Sequence, residues 1–137
     1  MPKEIQKNDD ISLDKRNNHI IEDHFRALDK KYLQKRENNI SEKAYKSARD
    51  FTERVLTELK EQGKNVMFPK IVMAGKESFD VYWKSKKFKV LINIHKTRNG
   101  IVHMFGKDFP KPNNPIDTKV NFELSIDFLI NWLNGII

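Results

Sequence analysis

The sequence predicts an α+β protein in which two N-terminal helices, an antiparallel meander of four strands and a C-terminal helix form one domain. Apolar residues recur at helical spacing before Pro69 and alternate with polar residues after it, and residues 121–137 are rich in apolar side chains. The chain of 137 residues has the length of one domain. We expect residues 1–17 to form a flexible tail and residues 18–137 to form the single domain.

The two N-terminal helices are predicted from apolar residues three or four positions apart. In the first, over residues 18–36, these residues are Ile21, Phe25, Leu28 and Tyr32. In the second they are Ala44, Ala48, Phe51, Val55 and Leu59. Asn39 or Ser41 can cap the start of the second helix, and Gly63 can end it.

Four segments after Pro69 are predicted strands: KIVMA, SFDVYWK, KFKVLINIHK and IVHMFGK. We place one turn at Ser85 and Lys86, and a two-residue turn at Asn99 and Gly100, because this pair favours tight hairpins. The second turn sets Phe105 opposite Ile94. The predicted core of the sheet is Phe79, Val81, Trp83, Phe88, Val90, Ile92, Ile94 and Phe105.

The remainder of the chain is predicted as one loop and one helix. KDFPKPNNPIDT contains three prolines and is typical of an irregular surface loop. The segment NFELSIDFLINWLNGII alternates at first like a strand, but its length and its later apolar spacing favour a helix. We expect this C-terminal helix to cover one face of the sheet.

The composition, which is 38% hydrophobic and 33% charged, is that of a soluble globular protein. No apolar run approaches the roughly 20 residues of a membrane span, and MPKEIQKNDD lacks the apolar segment of a secretory signal. We therefore expect a cytoplasmic protein that does not bind membranes. Because the chain has no cysteine, disulfides and thiolate chemistry are excluded.

Residue patterns typical of catalysis or metal binding are missing from the sequence. His19 and His24 are five positions apart, which suits a shared ion poorly, and the predicted register separates His95 from His103. Asp80 is the only acid in the three longer strands, and we interpret it as an ion-pair partner of Lys84 or Lys89. We therefore expect no metal, no cofactor and no enzymatic activity.

The most distinctive feature is the basic stretch at residues 81–107, which contains seven Lys or Arg and no acid. The whole chain has a net charge of +7, and residues 67–137 contain 11 basic and 6 acidic side chains. The excess positive charge is therefore localised. The candidate binding residues of this predicted basic face are Tyr82, Lys84, Lys86, Lys87, Lys89, Asn93, His95 and Arg98.

The basic face has three interpretations. Leu91, Val102 and Met104 are predicted to lie on it, and Tyr82 is its only aromatic residue. This composition favours a protein partner, including a second copy of the chain. Nucleic acid is the alternative, with lysines on phosphates and Tyr82 on a base. A solvated Lys-rich surface without a partner is the third interpretation.

The segment FPKIVMAGKESFDVYWKSKKFKVLINI resembles a widespread group of small prokaryotic proteins of unknown function. The resemblance covers residues 68–107, and its matching positions are Pro69, Asp80, Trp83, Leu91, Ile92, Asn93, Ile94 and the pair Phe105-Gly106. It implies a protein of helices and a curved sheet, in a group that is sometimes encoded among mobile or defence-related genes. The Lys-rich segment departs from the acidic versions of that group.

Overall fold

The computed structural model describes residues 20–34, 41–95 and 100–137. They belong to two compact units, one within residues 1–35 and the other within residues 36–137. In the first unit, residues 20–29 form helix α1, which continues as a π-helical turn at Lys30–Gln34. The tail predicted for residues 1–17 lies outside the described residues, and the boundary of the single domain stays a prediction.

The second predicted helix is confirmed as α2, Glu42–Glu61, and both of its ends follow from local chemistry. At the start, the Ser41 hydroxyl accepts a hydrogen bond from the backbone N–H of Ala44 at 3.0 Å. At the end, Gly63 has a φ of +73°. This conformation lets the N–H of Lys64 bond the carbonyl of Leu59 at 2.8 Å, as in a Schellman cap.

The sheet is an antiparallel meander of five strands in the order β1-β2-β3-β4-β5. The strands are β1 Lys70–Gly75, β2 Ser78–Lys84, β3 Phe88–His95, β4 Ile101–Asp108 and β5 Ile116–Asn121. The α+β class and the first four strands are confirmed. The prediction of only four strands was wrong, because β5 begins inside the segment interpreted as a loop.

The C-terminal helix is confirmed as α3, Phe122–Asn134. It follows β5 without a linker, because Asn121 both ends the strand and caps the helix by accepting a hydrogen bond from Glu123 N–H at 2.8 Å. Among the described residues, no helix is long and apolar enough to cross a membrane.

Helices α2 and α3 pack against the same side of the sheet, which we call the inner face. Tyr45 of α2 contacts Phe79 edge to face, and Trp132 of α3 contacts Phe88 in the same way. The predicted core residues Phe79, Val81, Trp83, Phe88, Val90, Ile92 and Ile94 are all buried. The side chains that alternate with the core form the outer face.

The register of β4 differs from the prediction. Val102, and not Phe105, lies opposite Ile94. The register is displaced by three positions, and because this is an odd number, every side chain of β4 lies on the face opposite to the predicted one. Val102 and Met104 are in the core, whereas Phe105, predicted to be buried, is 41% exposed on the outer face.

The turn between β2 and β3 is also displaced, but without an exchange of faces. Ser85 N–H donates to the carbonyl of Phe88 at 2.8 Å, so Lys86 and Lys87 are the central residues of the turn. The Ser85 hydroxyl accepts hydrogen bonds from the N–H groups of Lys87 and Phe88. Trp83 therefore pairs with Val90, two positions from the predicted pairing, and its side chain stays in the core.

Gly106 allows β4 to approach α3 closely. A Cβ atom at this position would lie 3.1 Å from Val90 Cγ2 and 3.3 Å from the Trp132 ring. The space that a side chain would need is therefore already filled by Trp132 and Val90.

Substitution of Gly106 by alanine is expected to destabilise the protein by about 1–3 kcal/mol, because the added methyl overpacks this contact. Chemical denaturation monitored by tryptophan fluorescence would measure the change. Gly135→Ala is the matched control, because Gly135 is exposed and has a right-handed helical backbone. Equal stability of the two variants would contradict the close packing of Gly106.

The ion pair between Arg54 of α2 and Glu123 of α3 should make stability depend on pH. The hydrogen bond from Arg54 holds the pKa of Glu123 below its ordinary value. The ionised Glu123 carboxylate therefore adds to the free energy of unfolding above the ordinary carboxyl pKa. This stabilisation is lost as the pH falls through the lower pKa that Glu123 has in the folded state. Glu123→Gln should be less stable than wild type at neutral pH, with a difference that shrinks in acid.

Thermal unfolding of wild type and of Glu123→Gln, from neutral pH down into acid, would test the Glu123 prediction. Asp127→Asn is the control, because Asp127 is an exposed carboxylate on the same helix. A constant difference between wild type and Glu123→Gln at every pH would contradict the role given to the carboxylate charge.

Candidate functional site

The outer face brings together most of the residues that the sequence predicted as a basic face. Tyr82 and Lys84 project from β2, and Lys89, Asn93 and His95 project from β3, in alternation with the core. The remaining residues are Lys86 and Lys87, which are exposed in the β2–β3 turn, and Arg98, which lies outside the described residues. Within the second unit, both helices lie on the opposite side of the sheet.

Three lysines form a continuous row across the outer face. Lys84 pairs with Lys89, and Lys89 pairs with Lys107 of β4. Lys86, Lys87 and Lys111 lie in the adjoining turn and loop, which are connected by a hydrogen bond from Phe109 N–H to the carbonyl of Lys87 at 2.9 Å. We call these six residues the basic end: Lys84, Lys86, Lys87, Lys89, Lys107 and Lys111.

The lysines of the basic end have no ion-pair partner among the residues that the structure describes. Asp108, which follows Lys107 in β4, is only 3% exposed. Its carboxylate accepts hydrogen bonds from Lys111 N–H and the Asn114 side chain and so holds the β4–β5 loop. The ammonium groups of the basic end are therefore available to an external anion.

A second row, next to the lysines, is apolar and aromatic. Tyr82 pairs with Leu91, and Leu91 pairs with Phe105. Phe105 contacts the imidazole of His103, with ring centroids 3.9 Å apart. Among the described residues, the outer face consequently has two phenyl-type rings, Tyr82 and Phe105, where the sequence predicted only Tyr82.

The acids of the outer face are bound to polar neighbours. Asn93 Nδ2 donates a hydrogen bond to Asp80 Oδ1 at 2.8 Å. Among the described residues Asp80 has no ion pair with Lys84 or Lys89, so that prediction was wrong. Asp117 Oδ1 lies 3.3 Å from His103 Nε2. His103 was predicted on the apolar face, but the observed register places it on the outer face.

The sequence reasoning missed His103, Phe105 and Lys107 of β4, and also Lys111 of the following loop. The signal was present in β4, where Val102, Met104 and Gly106 alternate with His103, Phe105 and Lys107. Burial of the second set would place a lysine in the core, which is costly without a partner. That alternation was a better guide to the register than the Asn99-Gly100 pair.

A cavity of about 660 Å³ lies over β3, β4 and the start of β5. Tyr82, Leu91 and Phe105 line it together with Lys89, Lys107 and Asp117. Its volume is in the range of sites that bind small organic groups. The cavity joins the lysine row to the aromatic row.

The outer face combines groups that bind anions and flat rings. Lysines contact phosphate or carboxylate groups, and exposed aromatic rings stack on other ring systems. Among the described residues, no group of three or more His, Cys, Asp or Glu could hold a metal ion. The lysines and aromatic rings of the outer face provide groups for binding an anion and for stacking on a ring.

No protein-family model matches the chain, and no curated protein or solved structure matches it significantly. The resemblance of residues 68–107 to small prokaryotic proteins stays a prediction. The site is therefore defined by its geometry.

The two faces of β4 can be tested by comparing adjacent substitutions. Met104→Ala should cost about 2–5 kcal/mol of stability, because Met104 is fully buried. Phe105→Ala should cost less than about 1 kcal/mol, because its ring lies on the outer face. Denaturant titration of both variants would measure this, and the reverse order would support the register predicted from the Asn99-Gly100 turn.

Proposed function

We propose that this chain is a non-enzymatic, cytoplasmic nucleic-acid-binding protein that holds its ligand on the outer face of the sheet. The observation that best supports this is the row formed by Lys84, Lys89 and Lys107. Like charges directly opposite each other in neighbouring strands oppose strand pairing. A polyanion laid along the row would relieve that repulsion, and phosphates have the matching charge.

The corrected register favours nucleic acid over the protein partner that the sequence favoured. Val102 and Met104, two of the three apolar residues in support of a protein partner, are in the core. Phe105 replaces them on the outer face beside Tyr82. A sheet surface with lysines and two aromatic rings matches the requirements of phosphate contact and base stacking.

Two other exposed apolar residues of the outer face, Val72 and Ile101, lie apart from the row of Leu91. Val72 is on the edge strand β1, and Ile101 is at the start of β4. They lie in different rows of the sheet, separate from the row of Leu91. Single exposed apolar side chains are ordinary on protein surfaces.

The triple variant Lys84→Gln, Lys89→Gln, Lys107→Gln should bind nucleic acid at least about tenfold more weakly than wild type near physiological salt. Fluorescence anisotropy with labelled single-stranded RNA and DNA of about 12 nucleotides would measure the affinity. Between about 50 and 200 mM salt, the negative slope of log affinity against log salt should become less steep by about 2 for the three lost contacts.

The matched control is Lys43→Gln, Lys46→Gln, Lys76→Gln, which removes the same charge from exposed lysines on α2 and in the β1–β2 turn. It should retain nearly the wild-type affinity. An equal loss in both triple variants would show that net charge, and not the outer face, controls binding. Negligible binding by the wild type would overturn the proposal and leave the protein partner as the alternative.

A further inference from the structure

The cavity over Leu91 has the dimensions of a base-binding cleft. Tyr82, Leu91 and Phe105 occupy one row on three adjacent strands. Since neighbouring strands are about 4.8 Å apart, the backbones that bear Tyr82 and Phe105 are about 9.6 Å apart. Aromatic rings interact at centroid separations of about 4.5–7 Å, so two rings contacting one ring between them need roughly 9–14 Å.

One wall of the cleft is held in place by its neighbours. The Phe105 ring contacts His103, whose Nε2 lies 3.3 Å from the Asp117 carboxylate. Asp117 is also the cross-strand partner of Phe105. A ring supported in this way loses little conformational entropy when a ligand binds, which favours affinity.

The charges around the cleft define an orientation for a nucleotide. Lys89 and Lys107 are two positions along their strands from Leu91 and Phe105, a step of about 6.7 Å. Asp117 lies beside Phe105 on β5, on the side away from Leu91, where its carboxylate disfavours a phosphate. A base over Leu91 therefore places its sugar toward the lysine row and its phosphate on the ammonium groups.

We infer that the cleft binds one unpaired base of a single-stranded nucleic acid between Tyr82 and Phe105, while Lys84, Lys89 and Lys107 bind the adjoining phosphates. This inference rests on the proposed function and deepens it, since it names the form of nucleic acid. A paired base in a duplex is stacked on its neighbours and cannot enter the cleft without being extruded. Single strands should therefore bind more tightly than a duplex of the same sequence.

Two oligonucleotides of equal length and charge separate base binding from phosphate binding. One is an ordinary single strand, and the other is the same backbone with abasic sites at every position. The ordinary strand should bind the wild-type protein roughly 5- to 150-fold more tightly for each stacked base. The double variant Tyr82→Leu, Phe105→Leu should bind both oligonucleotides with the same affinity, because leucine retains apolar bulk without an aromatic ring.

The conservative double variant Tyr82→Phe, Phe105→Tyr keeps both rings and should keep the preference for the ordinary strand. Thermal unfolding of each variant would establish that it is folded. The lysine triple variant should weaken binding of both oligonucleotides by the same factor, since the phosphates are identical in the two.

The outcomes distinguish the cleft from the proposed function. If the wild type binds the abasic and ordinary strands equally, the cleft inference is overturned, but phosphate binding at the lysine row stands. Equal affinity for the single strand and the duplex would also overturn it. Absence of binding to any of these nucleic acids would overturn the inference and the proposed function together.

Discussion

Trp132 packs its ring against the backbone of Gly106, and this contact determines which side of β4 faces the helices. Glycine at this position leaves room for the ring, with Val90 filling the space beside it. Once Gly106 faces inward, Val102 and Met104 must face inward too, because side chains alternate along a strand. The opposite set, with Phe105 and Lys107, is then fixed on the outer face beside Tyr82 and Lys89.

Local signals in the sequence were sufficient for much of the fold. Ser41 begins α2 and Gly63 ends it through hydrogen bonds with close neighbours in the sequence, and α2 was therefore accurately placed. The alternation of apolar and polar residues predicted strands β1 to β4. Strand β5 was missed because its six residues lie between a proline-rich loop and an apolar helix, and their short alternation was assigned to those neighbours.

The site was harder to predict than the fold, because it depends on register. A turn displaced by one residue changes the strand pairing by two positions and leaves the faces intact, as at Lys86 and Lys87. The β3–β4 pairing differed by an odd number, so Phe105 and Met104 exchanged faces. The Asn99-Gly100 pair predicts a register that would bury Lys107, but the cost of burying an unpaired charge is the stronger constraint.

The basic end is built on a tightly packed part of the core. Directly beside the lysine row, Trp83 pairs with Val90 and Val90 pairs with Gly106 on the inner face. The Trp83 indole also donates a hydrogen bond to the carbonyl of Met67 at 2.8 Å. Close packing offsets the repulsion among Lys84, Lys89 and Lys107 and gives this row a rigid base, so the spacing of these three lysines does not rely on the turn or the loop.

Asn121 is both the last residue of β5 and the N-cap of α3, and this shared role limits how the chain can change during evolution. An insertion there would separate the strand from the helix cap and rotate α3 away from Gly106. Pro112 and Asn113, in contrast, are exposed between the points where Lys111 and Asn114 hold the β4–β5 loop. An insertion at this position would replace the turn hydrogen bond from Asn114 N–H to the Lys111 carbonyl and would extend an exposed loop. Divergence in this fold would therefore lengthen the rim of the basic end more readily than it would alter the helical layer, provided that the Asn114 carbonyl still accepts the hydrogen bond from Trp132.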